Sequence, residues 1–511
     1  MKNSKNQKIN GKVGQKKFYL KPKVERKIDY KRWFFAFLGF GLFLLFYFLP
    51  PFPSVTDPLG KTFQLTYQGK LALGLFLWAG IWWVFEVVPI GITSILIGVV
   101  QVLFLIREPR VVFTDFFDPS VWFIFGSLII GLSFQRTGIT QRMAYRMLKI
   151  VGEKTTSIYL GAFAIIGILT LIMAHTAVAA AVYPILMTIH ALYEENEQPT
   201  KFGKGLFIGM AYTAGAGSIV TLLGAARGPA AIGFFKEITS SPGMPGREIS
   251  FFELTYYMLP IGWLMILIIW AYISIVYKPE KKTIEGLRER VELLSERMGK
   301  FTKEETITLI IVLGAVLLLI LRSFIPELKF LDKSAIMLLP TILLFLLNIL
   351  KVKDLEDVPW NIILLFGGAM CIGFCLWQTG AANWLAVNWL VMFKNAPWLV
   401  FVVSIALLVL ILTNFIMNVA AIAITLPISL VIGKYLGVAP EVILFASLVT
   451  AGMPFVLLIG AAPNAIAYES KQFTSGEFFR NGIIMSIILM VVLTIFIAYI
   501  WPLMGMPVVV K

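Results

Sequence analysis

The chain has 511 residues, of which 58% are hydrophobic and 14% charged, and its formal net charge is +15. A soluble domain carries about 25% charged residues, so this composition excludes an ordinary water-soluble globular fold. Runs of roughly 20 apolar residues, each able to cross about 30 Å of hydrocarbon, recur along the chain; in lipid they must be helical, because a helix closes its own backbone hydrogen bonds.

Residues 1–32 hold twelve Lys or Arg against Glu25 and Asp29. They read as a basic cytoplasmic arm drawn to anionic lipid, so the net charge points to positive-inside topology and not to nucleic acid. No cleavable signal is expected, since Pro50-Pro51-Phe52-Pro53 follows the first apolar run. Membrane helices are predicted near 33–50, 71–87, 88–106 and 119–135, with Trp82, Trp83 and Trp360 as interfacial anchors. Arg136 to Lys154 is basic and amphipathic and suits the cytoplasmic interface. The apolar run 156–192 is too long for one crossing and holds His175 at its middle, so a re-entrant helical hairpin is predicted there. A helix broken at its glycines over 203–235 and a helix over 253–277 complete the first half, 33–277.

Residues 278–303 alternate acids and bases at helical spacing and predict a cytoplasmic linker helix. The pattern then restarts over 304–511, with helices near 304–323, 334–350, 359–378 and 481–503, a hairpin at 396–433 and a broken helix at 440–468. The resulting fold class is an all-α polytopic membrane protein of about 11 crossings plus two re-entrant hairpins, with its N-terminus in the cytoplasm and its place in the plasma (cell inner) membrane.

The halves repeat in three places. Phe125-Gly126 leads to Thr137-Gly138, and Phe366-Gly367 leads to Thr379-Gly380. Leu169 to Ile185 (LTLIMAHTAVAAAVYPI) aligns without a gap on Leu412 to Ile428 (LTNFIMNVAAIAITLPI), 243 residues on. Thr213-Ala214-Gly215 leads to Gly224-Ala225-Ala226, as Thr450-Ala451-Gly452 leads to Gly460-Ala461-Ala462. Inverted repeats with interrupted helices mark transporters, whose site lies where the breaks meet. Half-helix N-termini there suit an anion.

These residues resemble the divalent anion:sodium symporter family, the INDY-type di- and tricarboxylate and sulfate transporters. The resemblance runs from about residue 72 onward and is carried by WWVFEVVPIGITSILIG (Trp82 to Gly98), VPWNIILLFGGAMCIGFCLWQTG (Val358 to Gly380), the hairpin ending in Pro184, and APNAI (Ala462 to Ile466). It implies a scaffold and an elevator-type transport domain in each protomer of a homodimer. It also implies that the tips bind sodium and substrate carboxylates through Ser-Asn-Thr. Here the tips read Ala174-His175-Thr176 and Met417-Asn418-Val419, and the broken helices read Gly224-Ala225-Ala226-Arg227-Gly228 and Gly460-Ala461-Ala462-Pro463-Asn464.

The resemblance places His175, Thr176, Arg227, Asn418, Val419, Ala461, Ala462 and Pro463 at the substrate. It places Thr170, Ala174, His175, Gly224, Thr413, Met417, Asn418 and Gly460 where a cation would compensate charge. Three tip side chains lack oxygen, while His175 and Arg227 add cationic groups. The expected function is therefore secondary transport of small divalent organic anions (succinate, malate, 2-oxoglutarate or citrate) by a sodium-independent exchanger or a proton-coupled carrier. A sodium-coupled dicarboxylate symporter and an inorganic oxyanion carrier are the alternatives. Two cysteines in one apolar segment make no metal set, and no cofactor or enzymatic motif is expected beyond sodium or a proton.

Overall fold

The computed structural model describes residues 30–56, 62–194, 198–240, 247–393, 396–415 and 417–510, with 389–393 given by backbone alone. The basic arm expected over 1–32 lies almost wholly outside the described residues.

In the first half, α1 (Tyr30–Phe48) packs along α2 (Tyr67–Val84), with a two-residue hairpin, β1 (Val55–Thr56) and β2 (Thr62–Phe63), between them. Then come α3 (Ile90–Leu103), α4 (Pro109–Phe116), α5 (Pro119–Thr137), α6 (Ile139–Val151), α7 (Thr155–Leu169), α8 (His175–Tyr193), α9 (Lys201–Gly217), α10 (Arg227–Thr239) and α11 (Phe251–Val276). The linker contains α12 (Leu287–Met298). The second half has α13 (Lys303–Phe324), α14 (Lys333–Leu346), α15 (Val352–Glu356), α16 (Trp360–Gln378), α17 (Ala381–Phe393), α18 (Trp398–Phe415), α19 (Asn418–Tyr435), α20 (Pro440–Gly452), α21 (Ala462–Tyr468) and α22 (Ser475–Ile495). A π-helical turn at Phe496–Ile500 continues α22 into α23 (Trp501–Leu503). Among the described residues, nine helical segments are long and apolar enough to cross a membrane.

Local chemistry sets the boundaries. Asp118 accepts the Ser120 N–H at 2.7 Å and Pro119 opens α5, because an N-cap oxygen takes an orphan donor and proline needs none. Gly138 ends α5 at φ +82°, and Gly380 follows α16 at φ +76°, a left-handed conformation that costs glycine little. The linker is helical over a shorter stretch than 278–303, since Gly286 and Gly299 bound α12 at φ +76° and +63°. Residues 281–284 instead bond to the start of α7, where Thr155 N–H donates to Lys282 O at 3.1 Å and Ile284 N–H to Glu153 O at 3.0 Å. Three helices, α4, α15 and α17, have no counterpart in the sequence reading. Trp83 is buried and donates to Ile90 O at 3.3 Å, so it is a core residue and not an interfacial anchor.

The halves correspond element by element. Helices α3 and α14 are both 14 residues long, and each is followed by a residue of positive φ, Leu105 and Asn348, 243 apart. Helices α6 and α17 are both 13 residues long. Helices α8 and α19 begin at 175 and 418, again 243 apart. Contacts obey the same exchange: α16 packs on α3 as α14 packs on α5, and α10 on α19 as α21 on α8. Gly126 lies against Met337 of α14, and Gly368 against Ser94 of α3, two images of one contact. This corrects the sequence register, which pairs Gly126 with Gly367; Gly367 faces Phe116 instead.

Candidate functional site

Both long apolar runs break where the repeat places their centres. Helix α7 ends at Leu169 and α18 is described as far as Phe415, and α8 and α19 start afresh after the extended Ala174 and Met417. Their N-caps, Ala174 (φ −59°, ψ 135°) and Met417 (φ −56°, ψ 139°), share one extended conformation. The first cap-to-helix bonds are Val178 N–H to Ala174 O and Ala421 N–H to Met417 O. The preceding N–H groups of Thr176, Ala177, Val419 and Ala420 are donors that the helix does not use.

These two N-termini meet the two helix breaks around a cavity of about 260 Å³. Ala174, His175, Thr176 and Ala225 line it from the first half, and Met417, Asn418, Val419, Gly460, Ala461 and Ala462 from the second. Gln135 and Asp357 stand on its wall, between the apolar side chains of α5 and α16. Two helix N-termini with small side chains between them can hold an anion by backbone donors and dipole ends.

The first break is closed by side chains. The His175 N–H donates to Gly224 O at 2.9 Å, and its Nδ1 lies 3.1 Å from the same oxygen. A carbonyl only accepts, so Nδ1 carries a proton. Thr221 donates to Leu171 O at 2.8 Å and pins the loop to the end of the first run. Arg227, the first residue of α10, is 1% exposed and does not line the cavity. Its Nη2 donates to Ser218 Oγ at 2.8 Å, while buried Nη1 has no hydrogen-bond partner among the described residues. Arg227 sits against Gly452 of the other half, where an added Cβ would come within 2.6 Å of Nη2.

The second break is closed by amides. Asn414 Oδ1 accepts the Val456 and Leu457 N–H groups at 2.9 and 3.2 Å, and Asn464 Nδ2 donates to Pro454 O at 2.8 Å and Leu457 O at 3.1 Å. Asn418 is buried beside the cavity, and no hydrogen bond from its side chain is found among the described residues.

Nine of the sequence-selected residues thus share one cavity, and five do not. Thr170 donates to Gly167 O at 2.7 Å and Thr413 to Ala451 O at 3.1 Å, so both hydroxyls are spent on backbone. Gly224 lies behind the His175 ring, Pro463 is buried in the first turn of α21, and Arg227 lies one layer back. Sequence reasoning passed over Ser218, Thr221, Asn414 and Gln135. A polar residue inside an apolar run was the available signal, and it was sharpest at Asn414.

A family model described as the sodium:sulfate symporter transmembrane region matches residues 53–507. The chain is 27% identical over 462 residues to a sodium-dependent dicarboxylate transporter, SdcS, of Staphylococcus saprophyticus, covering 86% of this chain and 87% of the relative. It is 26% identical to SdcS of Staphylococcus aureus over the same shares of the two chains. Among solved structures, the YdaH transporter of Alcanivorax borkumensis superposes with a TM-score of 0.57 at 13% identity, covering 94% of this chain and 98% of that one. MtrF of Neisseria gonorrhoeae gives 0.57 at 15% identity, covering 91% and 93%. At these identities the two structures speak for a shared fold.

Proposed function

This chain belongs to the sodium:sulfate symporter family, and from that premise we propose that it exchanges small dicarboxylates, of the succinate class, at the cavity between Thr176 and Asn418. It is a multi-pass membrane transporter and not an enzyme. The observation that carries the dicarboxylate reading is the pair of helix N-termini, one from each half, that line a single cavity of about 260 Å³. Two donor sets, one from each half, suit the two carboxylates of one small molecule, and the relatives are sodium-dependent dicarboxylate transporters.

Charge compensation differs between the halves. The Gly224 carbonyl accepts from His175, and the Arg227 guanidinium lies behind the break without a carboxylate partner among the described residues. A buried cation without an anion is costly, and a dianion in the adjoining cavity would offset it. In this reading Arg227 acts through its field and not by contact, and the first half needs no sodium. The cavity would then move by an elevator motion in each protomer of a homodimer. The basic segment 136–154 and the segment 351–357, which meet at its rim through Arg136 and Asp357, would place that mouth on the cytoplasmic side of the plasma membrane.

A second reading, sodium-coupled symport, is favoured by the uncommitted Asn418 amide and by the sodium dependence of the relatives. Uptake of labelled succinate into proteoliposomes tests both. Exchange that needs internal succinate and persists when sodium is replaced by choline supports the first reading, and Arg227→Gln should then lower its rate at least tenfold. Uptake that tracks the sodium gradient establishes the second. Uptake that rises as the external pH falls, without sodium, would assign the coupling to a proton.

A further inference from the structure

Among the described residues that line the cavity, the single charged side chain is a carboxylate, Asp357, although the proposed substrate is a dianion. Asp357 comes from the second half, at the junction of α15 and α16, and stands across from Gln135 of α5. Gln135 Nε2 donates to Ala177 O at 3.3 Å, one residue past the first tip. The next residue, Arg136, reaches the other way. Its Nη2 pairs with Asp357, and its Nε lies 2.8 Å from Asp354 Oδ1.

The two carboxylates are held differently. Asp354 is 13% exposed in its side chain, and its Oδ2 accepts the Lys351 N–H at 2.6 Å. It is fixed, and it holds Arg136 by Nε. Asp357 is 52% exposed and Arg136 46%, so their contact is a solvated ion pair at the rim. Such pairs are weak, typically about 0–1 kcal/mol. Arg136 is therefore tethered at one nitrogen and free to leave Asp357 at the other. An arriving anion can draw that nitrogen away, and doing so unscreens Asp357.

We infer that Asp357 selects the charge of the cargo: it disfavours anions of more than two charges, and Arg136 is its movable screen. The inference rests on the dicarboxylate reading for the identity of the cargo, but its electrostatic part does not. Repulsion from one fixed carboxylate grows with each charge on the ligand, by about threefold in affinity per charge at several ångströms in a watery rim. A monoanion pays least and a trianion most, so the rim trims the upper end of the charge range while the helix N-termini set the lower end.

Two measurements test it together. The first is the KM for succinate and for trianionic tricarballylate in proteoliposomes. Asp357→Asn should lower both, the trianion's by about threefold more than the dianion's. Arg136→Gln should raise both in the same order, and the double variant should return near the parent. Equal shifts for both anions would mark a structural role and overturn the inference.

The second needs no transport. Ala180 is exposed in the cavity wall, and the native Cys371 and Cys375 are buried. In an Ala180→Cys background, the rate of modification by an anionic thiosulfonate relative to a cationic one should rise about tenfold with Asp357→Asn, since the two reagents differ by two charges. It should fall with Arg136→Gln. A ratio unmoved by either change overturns the inference whatever the cargo is. A ratio that shifts in a protein that moves no dicarboxylate would sustain the rim and remove the dicarboxylate reading.

Discussion

Gly215 and Gly452 lie against each other at the ends of α9 and α20, and a Cβ on Gly215 would stand 2.9 Å from the Gly452 carbonyl oxygen. They occupy the same place in the two halves, 237 residues apart. Their contact is one of the places where equivalent elements of the two halves touch, and Arg227 packs onto it. Gly215→Ala meets backbone that cannot turn aside, and overpacking of this kind costs about 1–3 kcal/mol. The expected result is a lower unfolding temperature in detergent for Gly215→Ala, with Gly228→Ala, whose Cβ would meet the flexible Leu222 side chain at 3.2 Å, closer to the parent.

Asn414 has no counterpart in the first half, where residue 171 is a leucine. Its Oδ1 is the acceptor for two consecutive N–H groups in the second break. Asn414→Leu restores the symmetry of the sequence and strands both donors, each at about 1–3 kcal/mol. Asn414→Asp keeps the acceptor. Thermal unfolding should rank the parent and Asp above Leu, and a Leu variant as stable as the parent would mean that water serves those donors.

Arg142 of α6 and Glu305 of α13 form a buried pair, Nε to Oε1 at 2.8 Å and Nη2 to Oε2 at 3.0 Å. Arg142 Nη1 also donates to Gly299 O at 2.8 Å, and Glu305 closes a capping box with Thr302. The pair thus clamps the amphipathic helix to the linker. Removing one partner leaves a buried charge, at about 3–5 kcal/mol. Arg142→Met should therefore destabilise more than the double change Arg142→Met/Glu305→Gln, and a double-mutant cycle followed by thermal unfolding gives the sign.

Glu280, just beyond α11, reports on pH. Burial disfavours its charge, but the Lys201 N–H at 2.6 Å, the Tyr193 hydroxyl at 2.8 Å and the Phe202 N–H at 3.3 Å favour it more. Its carboxyl is held below the ordinary 4.5. A carboxylate depressed in the native state adds stability that is complete above 4.5 and disappears as the pH falls through the native value. Glu280→Gln should lower the unfolding temperature at pH 7 and flatten its decline below 4.5; a decline as steep as the parent's would place the linkage elsewhere.

Much of this was legible in the chain itself. Apolar run length fixes helices in lipid because backbone groups there have no other partner. The 243-residue register of the tips is written in residues that must share a backbone shape, and α8 and α19 begin on it. The glycine clusters marked the later breaks, around Gly224 and Gly460, whereas Pro184 and Pro427 lie inside α8 and α19. Short elements were not legible: α4, α15 and α17 lack the length that marks a crossing. Nor could the chain say which way a side chain faces. Arg227 sits next to Ala226 at the end of the first break, yet packing turns it onto Gly452 and away from the cavity. Asp357 and Arg136, 221 residues apart, meet only because α5 and α16 end at the same rim. Spacing along a helix is local and periodic, so sequence can carry it; the pairing of charges across two halves depends on how the halves close, which only the tertiary structure decides.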